Sequence, residues 1–263
     1  MIEFFDKTKL IELANKYKSD YVSASPFPHI VIDNFLPEEV LNQVLKEFPD
    51  PKKIDWVKFN NVQEKKLASS GEEQISYFTR SLIHQLNSSV FINFLEELTE
   101  IKGLIPDPHL WGGGLRQIEK GGLLKIHADF NWYAKLRINR RLNILIYLNK
   151  DWKEEYGGHI ELWNKDMTKC EQKILPLFNR CVIFSTTDNS YHGHPEPLTC
   201  PGGWTRKSLA LYYYTSNGIE DTQIHSTNFK TRPGEEKTLR LRDIFKRITP
   251  PIIYEVVRSR LKN

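Results

Sequence analysis

The chain has 263 residues, of which 40% are hydrophobic and 27% charged, with a formal net charge of +4. That length and balance suit one globular domain with a sizeable core, and so small a net charge gives no argument for a nucleic-acid partner. No apolar run approaches a membrane span, and Met1-Ile-Glu-Phe-Phe-Asp6 has neither the basic start nor the apolar stretch of a secretory signal.

Phe4, Phe5, Ile11, Leu13, Ala14 and Tyr17 fit a short amphipathic helix, closed by Pro26 and Pro28. His29–Asp33 reads as a buried strand. Pro37 and two glutamates then open a helix, since proline fits a first turn and carboxylates complement the helix dipole there. Val40, Leu41, Val44, Leu45 and Phe48 give its apolar face, and Pro49 ends it. Residues 50–76 are polar around Trp56 and Phe59 and predict irregular structure or a lid. Helical periodicity resumes from Tyr77 to Ile101, as two helices broken near Asn87–Ser89.

After Asp107 the pattern changes to short strand-like runs: 110–118, 123–130, 142–148, 159–163, 170–175, 181–185 and 208–215. Gly121-Gly122, Gly157-Gly158 and Gly202-Gly203 punctuate them. Helices first and many short strands after predict an α+β fold. It is a double-stranded β-helix, or jelly-roll, core with N-terminal helices packed on it and a C-terminal helical tail. The expectation is a single domain, 1–263. Its helical part is 1–108, its catalytic core 109–216, and a basic extension fills 217–263. In that extension Lys237, Arg240, Arg242, Lys246, Arg247, Arg258, Arg260 and Lys262 read as a solvated helical face, with surface membrane contact as the alternative. Cys170, Cys181 and Cys200 form no Cys-x-x-Cys pair, which speaks against a disulfide framework and for a reducing, cytoplasmic setting.

The chemistry centres on Leu123–Asp129. His127 and Asp129 lie two apart after an apolar run, so on a strand they share a face. A lone His-x-Asp is as readily a surface dipeptide. His192 offers a third ligand from far downstream. Two histidines and one carboxylate hold one face of an octahedral ion and leave the other open, as in non-haem Fe(II) oxygenases. Zinc accepts the same set, so a cupin-like zinc hydrolase or isomerase stands as an alternative, and a non-catalytic binding module on the same fold as a third reading.

Several ordered motifs carry a resemblance. They are Gly121-x-x-Leu124-x-x-His127-x-Asp129, Leu142–Asn149 followed by Asp151-Trp152, and Gly157–Trp163. After these come Asn179–Phe184, His192 and Arg206–Tyr212; the opening Phe27–Glu39 fits as well. Together they resemble the prolyl 4-hydroxylase-like Fe(II)/2-oxoglutarate-dependent dioxygenases. The resemblance implies Fe(II), 2-oxoglutarate and O2, with ascorbate as an accessory, and hydroxylation of an unactivated C–H bond with release of succinate and CO2. By it, His127, Asp129 and His192 are the metal ligands, with His194 the competitor for the last place. Arg206 takes the distal carboxylate of 2-oxoglutarate, for which a planar, always-charged fork is suited. Ser208, on the same strand face, adds a hydroxyl. Tyr147 and Asn143, four apart on one face, match positions that contact the cosubstrate. Arg140 and Arg141 read as strand-edge charges.

Two departures stand out. Relatives often carry tyrosine nine residues before the first histidine, where this chain has Ile118, and Gln117 is a candidate replacement. The link from His192 to Arg206 is long and contains Cys200–Trp204. The substrate is expected to be a small molecule or a peptide, a prolyl or amino-acid side chain or a sugar. Trp132, Tyr133, Lys135 and Arg137 are expected at the mouth, favouring an anionic or sugar-like group.

Overall fold

The computed structural model describes residues 4–216 and 224–235. The chain divides into two compact units, Met1–Lys230 and Thr231–Asn263. In the second unit, Arg232 pairs with Glu235 at 2.7 Å; the basic helices expected beyond residue 236 lie outside the described residues.

The first unit begins with helix α1 (Lys7–Ser23), whose first turn is capped by the Asp6 carboxylate accepting from Thr8 N at 2.7 Å. Strand β1 (His29–Ile32) follows, then α2 (Glu38–Glu47), with Pro37 before its first turn and Glu38 and Glu39 inside it. Helices α3 (Tyr77–Leu86) and α4 (Ser89–Thr99) are separated where the sequence places the break, and the Ser88 hydroxyl caps α4.

Residues 50–76 depart from the expected irregular stretch. They contain a hairpin of β2 (Val57–Asn60) and β3 (Glu64–Ala68). The remaining strands are β4 (Ile105–Pro106), β5 (Gly114–Glu119), β6 (Leu123–Ala128), β7 (Trp132–Tyr133) and β8 (Ile138–Tyr147). After them come β9 (Ile160–Trp163), β10 (Cys170–Ile174), β11 (Cys181–Ser185), β12 (Tyr191–His194), β13 (Thr205–Thr215) and β14 (Asn228–Phe229).

The strands pair in the order β1-β11-β8-β13-β5-β3-β6-β12-β9-β10. This is the antiparallel, curled jelly-roll expected. β3 joins its two halves: Leu67 and Ala68 pair with Gln117 and Arg116 of β5, while Glu64 and Lys65 pair with Leu124 and Leu123 of β6.

Strand alternation decides what faces the site. On β8, Leu142, Ile144 and Ile146 enter the core shared with the helices, while Asn143 and Leu145 face the barrel interior. On β13, Leu209, Leu211 and Tyr213 take the helix side and Arg206, Ser208, Ala210 and Tyr212 the interior. β5 follows suit, with Leu115 in the helix-side core and Arg116 and Ile118 turned inward. Burying each Leu or Ile of that core is worth about 1.5–3 kcal/mol, so a one-residue slip of any of these strands would be resisted from both faces at once.

Candidate metal centre

His127 lies near the end of β6, Asp129 just beyond it, and His192 on the neighbouring β12, directly opposite His127 in the ladder. Between His192 and His194 the register shifts: two steps on β12 answer three on β6, from His127 to Leu124. This bulge lets both Leu124 and His127 face the interior, although they lie three apart.

One candidate ligand atom from each of His127, Asp129 and His192 lies within 4.8 Å of the others. Carbonyl oxygens fix both imidazoles. His127 Nδ1–H donates to the Lys125 carbonyl at 2.8 Å, and His192 Nδ1–H to the Ser190 carbonyl at 2.9 Å. A carbonyl only accepts, so each Nδ1 carries the proton and each Nε2 presents a lone pair. Those lone pairs face the carboxylate, His127 Nε2 at 3.6 Å from Asp129 Oδ1 and His192 Nε2 at 3.4 Å from Oδ2. Three acceptors converge with no proton between them, an arrangement that a cation resolves.

The Asp129 carboxylate is itself held. Asn143 donates Nδ2–H to Oδ2 at 2.6 Å, and Arg140 Nη2 stands 3.1 Å from the same oxygen. Arg140 Nε and Nη2 also donate to Asn143 Oδ1, at 3.0 and 2.6 Å. Arg140 is therefore not a strand-edge charge. It is 3% exposed, and its guanidinium lies 3.5 Å from the centre of the Tyr212 ring. Burial pushes the Asp129 carboxyl up, but the Arg140 charge outweighs it and holds the group well below the usual carboxylate range. The His127 imidazole is held below its ordinary value by burial and by His192.

The same cavity contains Arg206, Ser208 and His194. Arg206 Nε donates to the Gly158 carbonyl at 2.8 Å and Nη2 to the Tyr147 hydroxyl at 3.1 Å. Nη1 has no hydrogen-bond partner among the described residues. Gly158, at φ +75°, is where a side chain cannot go: an added Cβ would lie 2.8 Å from Arg206 Cδ. Tyr147, fully buried, meets the cavity through Arg206, and Asn143 commits its amide to Asp129 and Arg140. His194 is not in the ligand cluster. Both its ring nitrogens are buried and without a hydrogen-bond partner. Leu124, Leu145, Ile160 and Phe184 complete apolar walls.

Gln117 does not stand in for the tyrosine absent at Ile118. It points to the other face, donating to the Pro49 carbonyl at 3.1 Å and accepting from Thr205 Oγ1 at 3.1 Å. Trp132, Tyr133 and Lys135 line a neighbouring cleft with Trp111 and Phe130 rather than the cavity itself, and Arg137 is exposed outside both. Among the described residues no helix is long and apolar enough to cross a membrane.

Residues 113–214 match the family model described as the 2OG-Fe(II) oxygenase superfamily. Among solved structures, a prolyl hydroxylase from Trichoplax adhaerens, in complex with a hypoxia-inducible-factor degradation-domain peptide, is 19% identical with a TM-score of 0.54. That match covers 79% of this chain and 91% of that one. A prolyl 4-hydroxylase from Phytophthora capsici is also 19% identical at TM-score 0.54, covering 86% and 71%. One from Pseudomonas putida is 13% identical at TM-score 0.51, covering 78% and 98%. At these identities the likeness establishes the fold.

Proposed function

We propose that this chain, whose residues 113–214 match the 2OG-Fe(II) oxygenase superfamily model, is an Fe(II)- and 2-oxoglutarate-dependent oxygenase that hydroxylates a C–H bond of a small-molecule or peptidyl substrate. His127 Nε2, Asp129 and His192 Nε2 hold the metal. Arg206 and Ser208 receive the distal carboxylate of the cosubstrate. The observation that carries this reading is the meeting, in one cavity, of three converging acceptors and a guanidinium with an uncommitted Nη1.

With 2-oxoglutarate bound, iron(II) supplies O2 activation coupled to oxidative decarboxylation, yielding succinate, CO2 and the oxidising power for hydroxylation. The protein's share is geometric. The carbonyls of Lys125 and Ser190 fix the imidazole tautomers. Asn143 and Arg140 keep Asp129 ionised and turned toward the histidines. Tyr147 and the Gly158 carbonyl aim Arg206. We assign His194, two residues past His192 and unpartnered, as a further donor to the cosubstrate, in the cavity that Ile118 lines without a hydroxyl. The apolar walls keep bulk water from the reacting centre.

Replacing Arg206 removes the clamp but leaves the three ligands in place, which separates this reading from a zinc hydrolase. The test is succinate release from 2-oxoglutarate with Fe(II). It should require both, and fall to background in Asp129→Ala and in Arg206→Leu. Wild-type protein that releases no succinate with any of free amino acids, prolyl peptides or nucleotide sugars would contradict the reading.

A further inference from the structure

We infer that Arg116 forms an anion subsite of the catalytic cavity, so that the substrate carries a carboxylate or phosphate group. This rests on the reading of the cavity as a metal and 2-oxoglutarate site.

Arg116 lies on β5, opposite Ser208 of β13 and Ala68 of β3 in the two ladders that flank it. Its neighbours Leu115 and Gln117 point to the helix side, so strand alternation sends Arg116 inward, and it lines the cavity with His127, Asp129 and Arg206. Its Nη2 reaches the neighbourhood of Gly112, where an added Cβ would lie 3.9 Å from that nitrogen and 3.4 Å from the Tyr212 ring. Arg116 is half-buried, and no described residue hydrogen-bonds or ion-pairs with its side chain. Its head group is thus partly withdrawn from water without a protein acceptor in return.

Each other cation of the cavity is committed. Lys66 pairs with Glu64 at 2.8 Å. Arg140, behind Asp129, is matched to that carboxylate at 3.1 Å. Arg206 is aimed by Tyr147 and Gly158 for the cosubstrate. Asp129 is the one acidic side chain among the cavity-lining residues. A divalent metal and Arg206 together balance Asp129 and the two charges of 2-oxoglutarate. Arg140 and Arg116 are then left as surplus positive charge, and only Arg116 is free to face an incoming molecule. Its planar fork matches the two oxygens of a carboxylate or phosphate. A neutral substrate would leave this charge uncompensated as the cavity fills and water leaves it.

The test uses the whole chain loaded with Ni(II) and saturating 2-oxoglutarate, which does not turn over, titrated calorimetrically with matched acids and neutral partners. The pairs are N-acetyl-L-proline and N-acetyl-L-prolinamide, glucuronate and glucuronamide, and glycerol 3-phosphate and glycerol. At least one acid should bind at least tenfold more tightly than its partner, and which pair does so separates carboxylate from phosphate. Arg116→Gln should abolish the difference and Arg116→Lys restore part of it. A neutral partner binding as tightly as its acid, Arg116→Gln binding the acid as wild type does, or no acid binding at 10 mM would overturn the proposal. Failure of the underlying reading shows separately, as wild-type protein that takes up no 2-oxoglutarate with Ni(II).

Discussion

Asn143 Nδ2 stands 2.6 Å from Asp129 Oδ2, with the Asn143 carbonyl held in turn by Arg140. This bond orients the carboxylate toward the two imidazoles. Such outer partners typically change metal affinity by about 10–100-fold. Asn143→Ala should therefore weaken Ni(II) binding by that factor, as followed by calorimetry, with far-UV circular dichroism unchanged. An unaltered affinity would show that the strand alone positions Asp129.

Arg140 balances the partly buried Asp129 whenever no metal is bound. Breaking a buried ion pair by removing one partner costs about 3–5 kcal/mol. Arg140→Met should destabilise the metal-free protein by about that amount in urea unfolding with a chelator present. Excess Ni(II) should narrow the gap to wild type, because the metal then supplies the missing positive charge. An equal deficit with and without metal would mean that Arg140 acts through its packing on Tyr212 and Phe130 instead.

The cosubstrate end separates from the metal end. Arg206→Leu removes a charged clamp from a buried site, and losses of this kind run to about 2–5 kcal/mol, or roughly thirty- to several-thousand-fold in affinity. Gly158→Ala should raise the 2-oxoglutarate Kd by displacing Arg206 through the added Cβ, and His194→Phe should raise it by removing a donor. All three should keep Ni(II) affinity close to wild type. Parallel loss of metal and cosubstrate would contradict the division.

Ile144 and Leu145 are adjacent on β8 but face opposite sides of the sheet. Ile144→Ala empties the helix-side core and should cost about 2–5 kcal/mol of stability, while Ni(II) affinity of the folded fraction stays unchanged. A loss of Ni(II) affinity comparable to that of Asn143→Ala would show that the helical layer, not strand alternation, sets the site.

The sequence made some of this legible and hid the rest for physical reasons. His127 and Asp129, or Arg206 and Ser208, sit two apart on apolar strands, and period two makes a shared face readable. The role of Arg140 was not readable, because a strand-edge arginine and one matched to a buried carboxylate look alike until β6 and β8 are in place. β3 is not legible in the sequence, since Glu-Lys-Lys-Leu-Ala lacks strict apolar alternation and its strand character comes from pairing with β5 and β6. β12, Tyr-His-Gly-His, has no apolar run at all; Gly193 is needed there because a Cβ would meet the Leu124 carbonyl at 2.7 Å. Gln117 is polar and adjacent to Ile118, which suggests it as a stand-in for the missing tyrosine, yet one step along a strand places it on the opposite face.

The most direct measurement is the anaerobic absorption spectrum on adding Fe(II) and 2-oxoglutarate. A weak visible band should appear only when both are present, vanish in Asp129→Ala and His192→Ala, and require more cosubstrate to saturate in Arg206→Leu. No band with wild-type protein, or a band that persists without Asp129 and His192, would contradict the assignment of a metal to these three side chains.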